Sequence, residues 1–317
     1  MNREFEKVYI VILNWNSYSD TNDCLTSIFN LDYPNFSIIV CDNGSTDRSL
    51  FKIEEHIKSQ SKEHRFLFYK SSELWEEKID KKEIILIDNK NNLGYAAGNN
   101  VGIRLAMKDP YCKHVWVLNN DTIVERNTLC EMMQKVRRYD NYGVCGARLI
   151  FEHDRTKLQG FGGLYNSTLG ISSHYMENEP YDTVINENEI AEKMDYLIGA
   201  SLLLSRAFIN YSGGFSEDYF LYFEELDLFT RMEGKYDKII ASNAIVYHKE
   251  GASFNNAKKG ASLYYLHRNR IFFTKKFHPD KLLSVYCYSV WSIMKRLFKM
   301  DVKSSLIMSK AILNLKL

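Results

Sequence analysis

The cysteines carry no recognisable framework: Cys24, Cys41, Cys112, Cys130, Cys145 and Cys287 are scattered, with no CxxC pair. That spacing argues against a zinc site or a disulfide scaffold and fits a reducing cytoplasm. Prolines number only four (Pro34, Pro110, Pro180, Pro279), each where the residue pattern breaks. No GxGxxG or Walker A sequence occurs, so the usual dinucleotide and P-loop modes lack support. No charge of one sign dominates: 41 Lys+Arg stand against 40 Asp+Glu. That balance excludes a nucleic-acid binder built on a basic excess, and with 45% hydrophobic residues it excludes a disordered chain. The start, MNREFEKVYIVIL, has charges on both sides of Phe5 and no small-residue cleavage site, so no secretory signal is expected there.

What is present is an alternation. Residues 8–15 (VYIVILNW) form a short apolar run rich in β-branched residues that ends in polar ones, the pattern of a buried strand. Residues 36–43, 84–89 and 114–120 repeat it, and helical spacing fills the intervals 20–30, 48–57, 98–107 and 128–138. Strands alternating with helices predict an α/β fold with a parallel sheet covered on both faces. The charged stretch 70–83 reads as a solvated excursion, and residues 152–195, rich in Gly, Asn and acids, as a long loop region. Residues 196–204 and 239–247 look like further strands, and 258–273 like a helix.

Charge is unevenly distributed. Residues 275–317 hold nine Lys/Arg and two acids, a net +7, which leaves −6 on residues 1–274. Within this tail, residues 282–294 carry no charge but include Ser, Tyr and Cys, too short and too polar a run to span a bilayer. The tail reads either as a helix closing the domain, against the body or a second copy, or as a basic amphipathic helix on a membrane surface. The division expected is a body over 1–275 and a helical tail over 276–317.

In open α/β sheets ligands bind at the carboxyl ends of strands, and four successive ends here are polar. They are Asn14-Trp15-Asn16, then 42–47 (DNGSTD), then Asn92-Leu93-Gly94 leading to Gly98-Asn99-Asn100, and Asn119-Asn120-Asp121. Each alone could be a turn; four at one edge suggest a ligand site. Asp42 can accept from a pyrimidine N–H, and Asp47 can cap a helix. Gly94, Gly98 and Gly102 recur every four residues, which suits close approach of a helix to the sheet or to a ligand. Asp121 with two amides offers the oxygen ligands a hard cation such as Mg2+ or Mn2+ takes alongside substrate phosphates. Glu224, Glu225 and Asp227 cluster ahead of Arg231 at helical spacing, so part of the cluster could serve only the helix. His248, after a strand, is either a core histidine or a ligand.

These residues, in this order, resemble the inverting family 2 glycosyltransferases of GT-A fold, in particular the bacterial rhamnosyltransferase-like group. The matching segments are VILNWN (11–16), CDNGSTD (41–47), NNLGYAAGNNVGI (91–103), VLNNDT (117–122), IGASLLLSR (198–206), GGFSEDYFLYFEELDL (213–228) and VYHKEGAS (246–253). The resemblance implies a Rossmann-like nucleotide-binding sheet with a C-terminal helical tail. It implies that Asp42 holds the base, with Asn14, Asn16, Asn43, Gly94, Asn99 and Asn120 along the donor and Arg268 facing its diphosphate. Asn119-Asn120-Asp121 falls on an Asp-x-Asp metal motif, with Asp121 the main ligand, Asn119 beside it and His248 completing the shell. Glu225 falls on the catalytic base, where the family normally has Asp, and Glu224, Asp227, Gly199 and Ala200 fall on the acceptor side. The expected donor is dTDP-L-rhamnose, or else a UDP-hexose; the acceptor is a saccharide or a polyprenyl-diphosphate-linked saccharide of a surface polysaccharide such as O-antigen or capsule. Nucleic acid is not an expected partner. A cytoplasmic protein held peripherally on the inner face of the membrane, with a homodimer possible, completes the expectation. A nucleotidyltransferase or a non-catalytic nucleotide-sugar-binding module is the competing class.

Overall fold

The computed structural model describes residues 5–60, 65–70, 83–249 and 256–315, the last from residue 260 onward with side chains. The chain opens with β1 (Lys7–Asn14), α1 (Tyr18–Phe29), β2 (Phe36–Asp42), α2 (Ser49–Gln60), β3 (Arg65–Lys70), β4 (Glu83–Asp88), α3 (Gly94–Lys108) and β5 (Cys112–Asn119). It continues through β6 (Thr122–Val124), α4 (Thr128–Val136), β7 (Tyr142–Phe151), β8 (Leu158–Gly160), β9 (Gly162–Asn166), β10 (Ile171–His174), α5 (Glu187–Lys193), β11 (Tyr196–Leu197) and β12 (Ser201–Ser205). The remainder is α6 (Arg206–Ser212), α7 (Glu224–Met232), β13 (Asp237–His248), α8 (Asn256–Phe277), α9 (Leu282–Phe298) and α10 (Val302–Ile312).

A ten-stranded sheet in the order β3-β4-β2-β1-β5-β12-β7-β13-β6, with β8 paired to β7, forms the centre. The strands from β3 to β5 are mutually parallel, β12 runs antiparallel to both its neighbours, and β13 is parallel to β7. Alternate residues of β1 feed two cores, Val8, Ile10 and Ile12 on one face and Tyr9 and Val11 on the other. Both faces being covered explains why these strands are continuous apolar runs. This is the α/β architecture the sequence leads one to expect, except that β12 and β6 turn the parallel sheet into a mixed one.

The second half departs from expectation. Residues 152–195 are not a loop region: they contain β8, β9, β10 and α5, with β10-β9-β11 forming a second, three-stranded sheet. These strands are only two to five residues long and broken by Gly160, Gly162, Gly163 and Gly170, so no periodicity reveals them. The run 196–204 is two strands in different sheets, split at Ile198-Gly199-Ala200. Of the stretch 70–83, Lys70 ends β3 and Glu83 opens β4, buried; residues 71–82 lie outside the described residues. The expected boundary after residue 275 falls inside α8, and α10 packs back on α8 and α9.

The periodic glycines serve helix packing. A Cβ at Gly98 would fall 2.5 Å from Leu13 Cδ1, and one at Gly102 2.6 Å from Val11 Cγ1, so α3 lies directly on β1. Gly94 has φ +84°, and a Cβ there would meet the Phe220 carbonyl oxygen at 2.4 Å, so only glycine fits. Gly102→Ala is therefore expected to destabilise the fold by about 1–3 kcal/mol despite the better helix propensity of Ala, read as a lower denaturation midpoint.

Candidate active site

Parallel pairing aligns the strand ends: Asn14 is in register with Asp42, Asp42 with Asp88, and Leu13 with Asn119. At the first of these ends the Asn14 amide donates to Asp42 Oδ1 at 2.7 Å, and the Ser45 N–H donates to Asp42 Oδ2 at 3.0 Å. Asn16, in a left-handed conformation (φ 53°), accepts from the Thr46 N–H at 2.7 Å. Asn43 donates to Asn92 Oδ1 and to the Gly94 carbonyl and accepts from the Leu93 N–H. Asp42 and Asn43 are thus buried organisers of two loops. The Thr21 hydroxyl joins this edge to the next: it donates to Asn14 Oδ1 at 2.7 Å and accepts from the Asn120 amide at 3.0 Å.

The second edge collects Asn119, Asp121 and His248. Asp121 lies between β5 and β6, and His248 ends β13, paired in register with Thr122. His248 Nε2 and Asp121 Oδ1 are 3.1 Å apart. His248 Nδ1 is 2.8 Å from Gln159 Oε1 on β8, a contact that fixes the orientation of the ring. Burial pushes the Asp121 carboxyl up, but the hydrogen bond and charge of His248, with Lys249, outweigh it and hold it below its ordinary value. Lys249 itself is tied to Asp20 and Asp23 of α1 at 2.8 and 2.9 Å. A carboxylate oxygen and an imidazole nitrogen side by side fit a divalent cation that would take the place of the proton between them and complete its shell with substrate phosphates and water. They do not make a closed protein cage, and no group of three or more His, Cys, Asp or Glu suited to a metal occurs among the described residues.

Facing this edge is a cavity of about 260 Å³ whose walls include Asn119, Gln159, Gly199, Ala200, Glu225 and His248. Glu225 reaches it from the first turn of α7. Tyr222 (φ 69°) and Phe223 (φ 74°) are both left-handed just before that helix, a strain of order 1–3 kcal/mol per residue that surrounding structure must sustain. Asn269, fully buried on α8, sustains it: its amide donates to the carbonyls of Leu221 and Tyr222 at 2.8 and 3.0 Å. On the far side Gly199 leaves room for the acid, since a Cβ there would sit 2.1 Å from Glu225 Oε1. Burial raises the Glu225 carboxyl above its ordinary value, although backbone amides pull it back. Glu224 is raised well above the ordinary range, by burial first and then by the Glu225 charge.

Comparison with known proteins identifies the arrangement. The family described as "Glycosyl transferase family 2" matches residues 9–210. The chain belongs to that family. Among relatives, it is similar to the low-salt glycan biosynthesis hexosyltransferase Agl10 of Haloferax volcanii, 21% identical over 70% of this chain and 72% of that protein. An uncharacterized glycosyltransferase of Haemophilus influenzae is 27% identical over 38% of this chain and 33% of its own length. Among solved structures, a mannosyltransferase from Pyrobaculum calidifontis in complex with GDP-Man and Mn2+ matches 98% of this chain and 87% of its own, with a TM-score of 0.58 and 11% identity. S. aureus TarS, residues 1–349, matches 96% of this chain and 81% of its own, with a TM-score of 0.53 and 12% identity. The chain is a glycosyltransferase of this family with the GT-A type of fold.

Several expected site residues stand elsewhere than the resemblance implied. Arg268 does not line the cavity; its guanidinium is held by the Asp218 carbonyl at 3.1 Å and Asn269 Oδ1 at 2.7 Å. Asp227 is not on the acceptor side: it is fully buried, with Arg231 Nε and Lys276 Nζ each at 2.6 Å, so it is the helix-supporting acid its spacing allowed. Glu224 is buried behind Glu225, with its Oε2 unpartnered among the described residues. Asn99 lies inside α3, buried and donating to the Tyr95 carbonyl. Of the segment 246–253, residues 250–253 lie outside the described residues. Sequence reasoning missed Gln159, Asn269 and Tyr95, whose hydroxyl is 3.1 Å from Asn119 Oδ1 and 3.0 Å from the Gly199 carbonyl. Tyr95 and Asn269 sit beside residues that were singled out; Gln159 has no local signal.

Asn269→Leu should cost about 1–3 kcal/mol, because two buried carbonyls lose their donor. It should also lower kcat with donor KM unchanged, since it frees the turn that aims Glu225. Arg268→Met should leave donor affinity unchanged, measured by titration.

Proposed function

We propose that the chain transfers a sugar, with inversion, from a nucleoside-diphosphate sugar to a hydroxyl of a saccharide or lipid-linked saccharide acceptor in surface-polysaccharide synthesis. The observation that carries this reading is that Glu225 and His248 line one cavity, with Asp121 3.1 Å from the His248 ring. In a single in-line displacement the acceptor oxygen bonds to the anomeric carbon as the bond to the leaving diphosphate breaks. The acceptor proton passes to Glu225, whose proton affinity is raised above that of an ordinary carboxylate by burial. Burial and the Glu225 charge push the Glu224 carboxyl well above its ordinary range. A divalent ion such as Mg2+ or Mn2+, held by Asp121 and His248, would offset the charge gained by the leaving diphosphate. Gln159 orients the imidazole for that role. Asp42 with Asn14 and Asn16 shapes the nucleoside end, and Gly199 with Ala200 forms the acceptor wall beside Glu225.

The donor we favour is dTDP-L-rhamnose, on the resemblance of the ordered motifs alone. A hexosyl donor is the second reading, supported by the likeness to a hexosyltransferase. A neighbour that binds GDP-Man with Mn2+ supports a nucleotide-sugar donor and a divalent ion in general.

Transfer assays with dTDP-rhamnose and with UDP-hexoses, in Mg2+ or Mn2+ and in excess chelator, test the proposal. Turnover should require the metal. Glu225→Gln should lose on the order of 10²-fold in kcat with donor affinity intact, while Glu224→Gln keeps most of its turnover. Wild-type activity should fall as pH drops through a pKa above the ordinary carboxylate range, because the base must be ionised. Metal-independent transfer, or a fully active Glu225→Gln, would overturn the assignment; donor binding without transfer would favour a binding module.

A further inference from the structure

The C-terminal helices leave an apolar stripe uncovered. On α9, Val285, Ser289 and Ile293 are buried at a spacing of four. The opposite face carries Leu283, Val290, Trp291, Met294 and Phe298, between 45% and 82% exposed and on one side of the helix. In the following turn and on α10, Met300, Val302 and Leu306 are also exposed, at 84%, 61% and 58%. Contiguous exposed apolar side chains on this scale mark an interaction surface. Its surroundings are cationic: residues 281–315 hold six Lys/Arg and one acid, Asp301, which is paired with Arg296 at 2.9 Å. Lys295 Nζ lies 5.1 Å from the centre of the Trp291 ring.

We propose that this stripe seats the protein on an anionic lipid bilayer, lying in the boundary between headgroups and acyl chains. The charge decides between occupants. A second copy seated face to face would bring two lysine-rich rims together, whereas lipid phosphates neutralise them. Among the described residues no helix is long and apolar enough to cross a membrane, so the helix lies on the surface. Its position gives the docking a use. Ser284 Oγ donates to the Thr168 carbonyl at 2.8 Å, and Val285 packs at Gly170, in the turn joining β9 to β10. Ser172 and His174 of β10 line the same cavity as Glu225. A bilayer on α9 therefore lies next to the strand pair that walls the acceptor cavity. The inference is independent of the donor, and its failure would leave the chemistry of Glu225 untouched.

The test is flotation of the full chain with phosphatidylcholine vesicles and with vesicles that also contain phosphatidylglycerol. The chain should float with the anionic vesicles at low salt and much less at high salt. The pair Trp291→Glu and Phe298→Glu should reduce the bound fraction on the order of tenfold. Lys295→Gln with Lys299→Gln and Lys303→Gln should flatten the salt dependence. All variants should keep the wild-type melting temperature and transfer to a water-soluble acceptor, because these side chains are exposed. Failure to float at low salt, flotation untouched by the glutamates, or a dimer that the glutamates split without any vesicle binding would each overturn the proposal.

Discussion

Register between parallel strands is the constraint on which the site depends. Because β1, β2, β4 and β5 pair without slippage at their carboxyl ends, Asn14, Asp42, Asp88 and Asn119 arrive at one edge. A slip of one residue would turn every side chain on a strand to the other face. The apolar alternation that fills the two cores is therefore also what sets the polar residues in line. β12 enters the opposite way, so its start reaches this edge and brings Gly199 and Ala200 against Asn119, whose N–H donates to the Ala200 carbonyl at 3.0 Å.

Around that edge the structure spends stability on placement. Two left-handed residues carrying side chains precede α7, a buried glutamate keeps an unpartnered oxygen among the described residues, and a buried asparagine from α8 pins the turn. None of these would be selected for folding alone. Asp227 shows the opposite case: buried in the same helix, it is matched by two cations and secures α7 on the body. Neighbouring acids in one short helix thus divide into one lining the cavity, one buried with an unpartnered oxygen among the described residues and one fully paired.

The first half of the fold was legible because each strand there is an apolar run ending in Asn or Asp, and each helix has its own spacing. Asp121, His248, Glu225 and Gly199 were legible as a set only through the order of their motifs; the sequence distance from Asp121 to His248 hides a contact of 3.1 Å. What stayed hidden was made by tertiary packing. The strands of residues 158–174 are too short and too rich in glycine for a period to emerge. Asn269 and Gln159 matter for what their amides reach across the fold. Beside Arg268, whose guanidinium is held by the Asp218 carbonyl and Asn269 Oδ1, it is Asn269 that pins the turn before α7.

The hydrogen bonds through Thr21 have a direction. The Asn120 amide donates to the Thr21 hydroxyl, whose nearest acceptor is Asn14 Oδ1, and the Asn14 amide donates to the Asp42 carboxylate. Each donor in this chain points the same way, so the dipoles add and polarise one another. Their positive ends face the Asp42 carboxylate, and the chain begins beside Asp121. Reversing any one member would set two donors or two acceptors against each other. The two ends of this polar edge are in this sense electrically one unit, with a built-in polarity that a symmetric row of amides would lack.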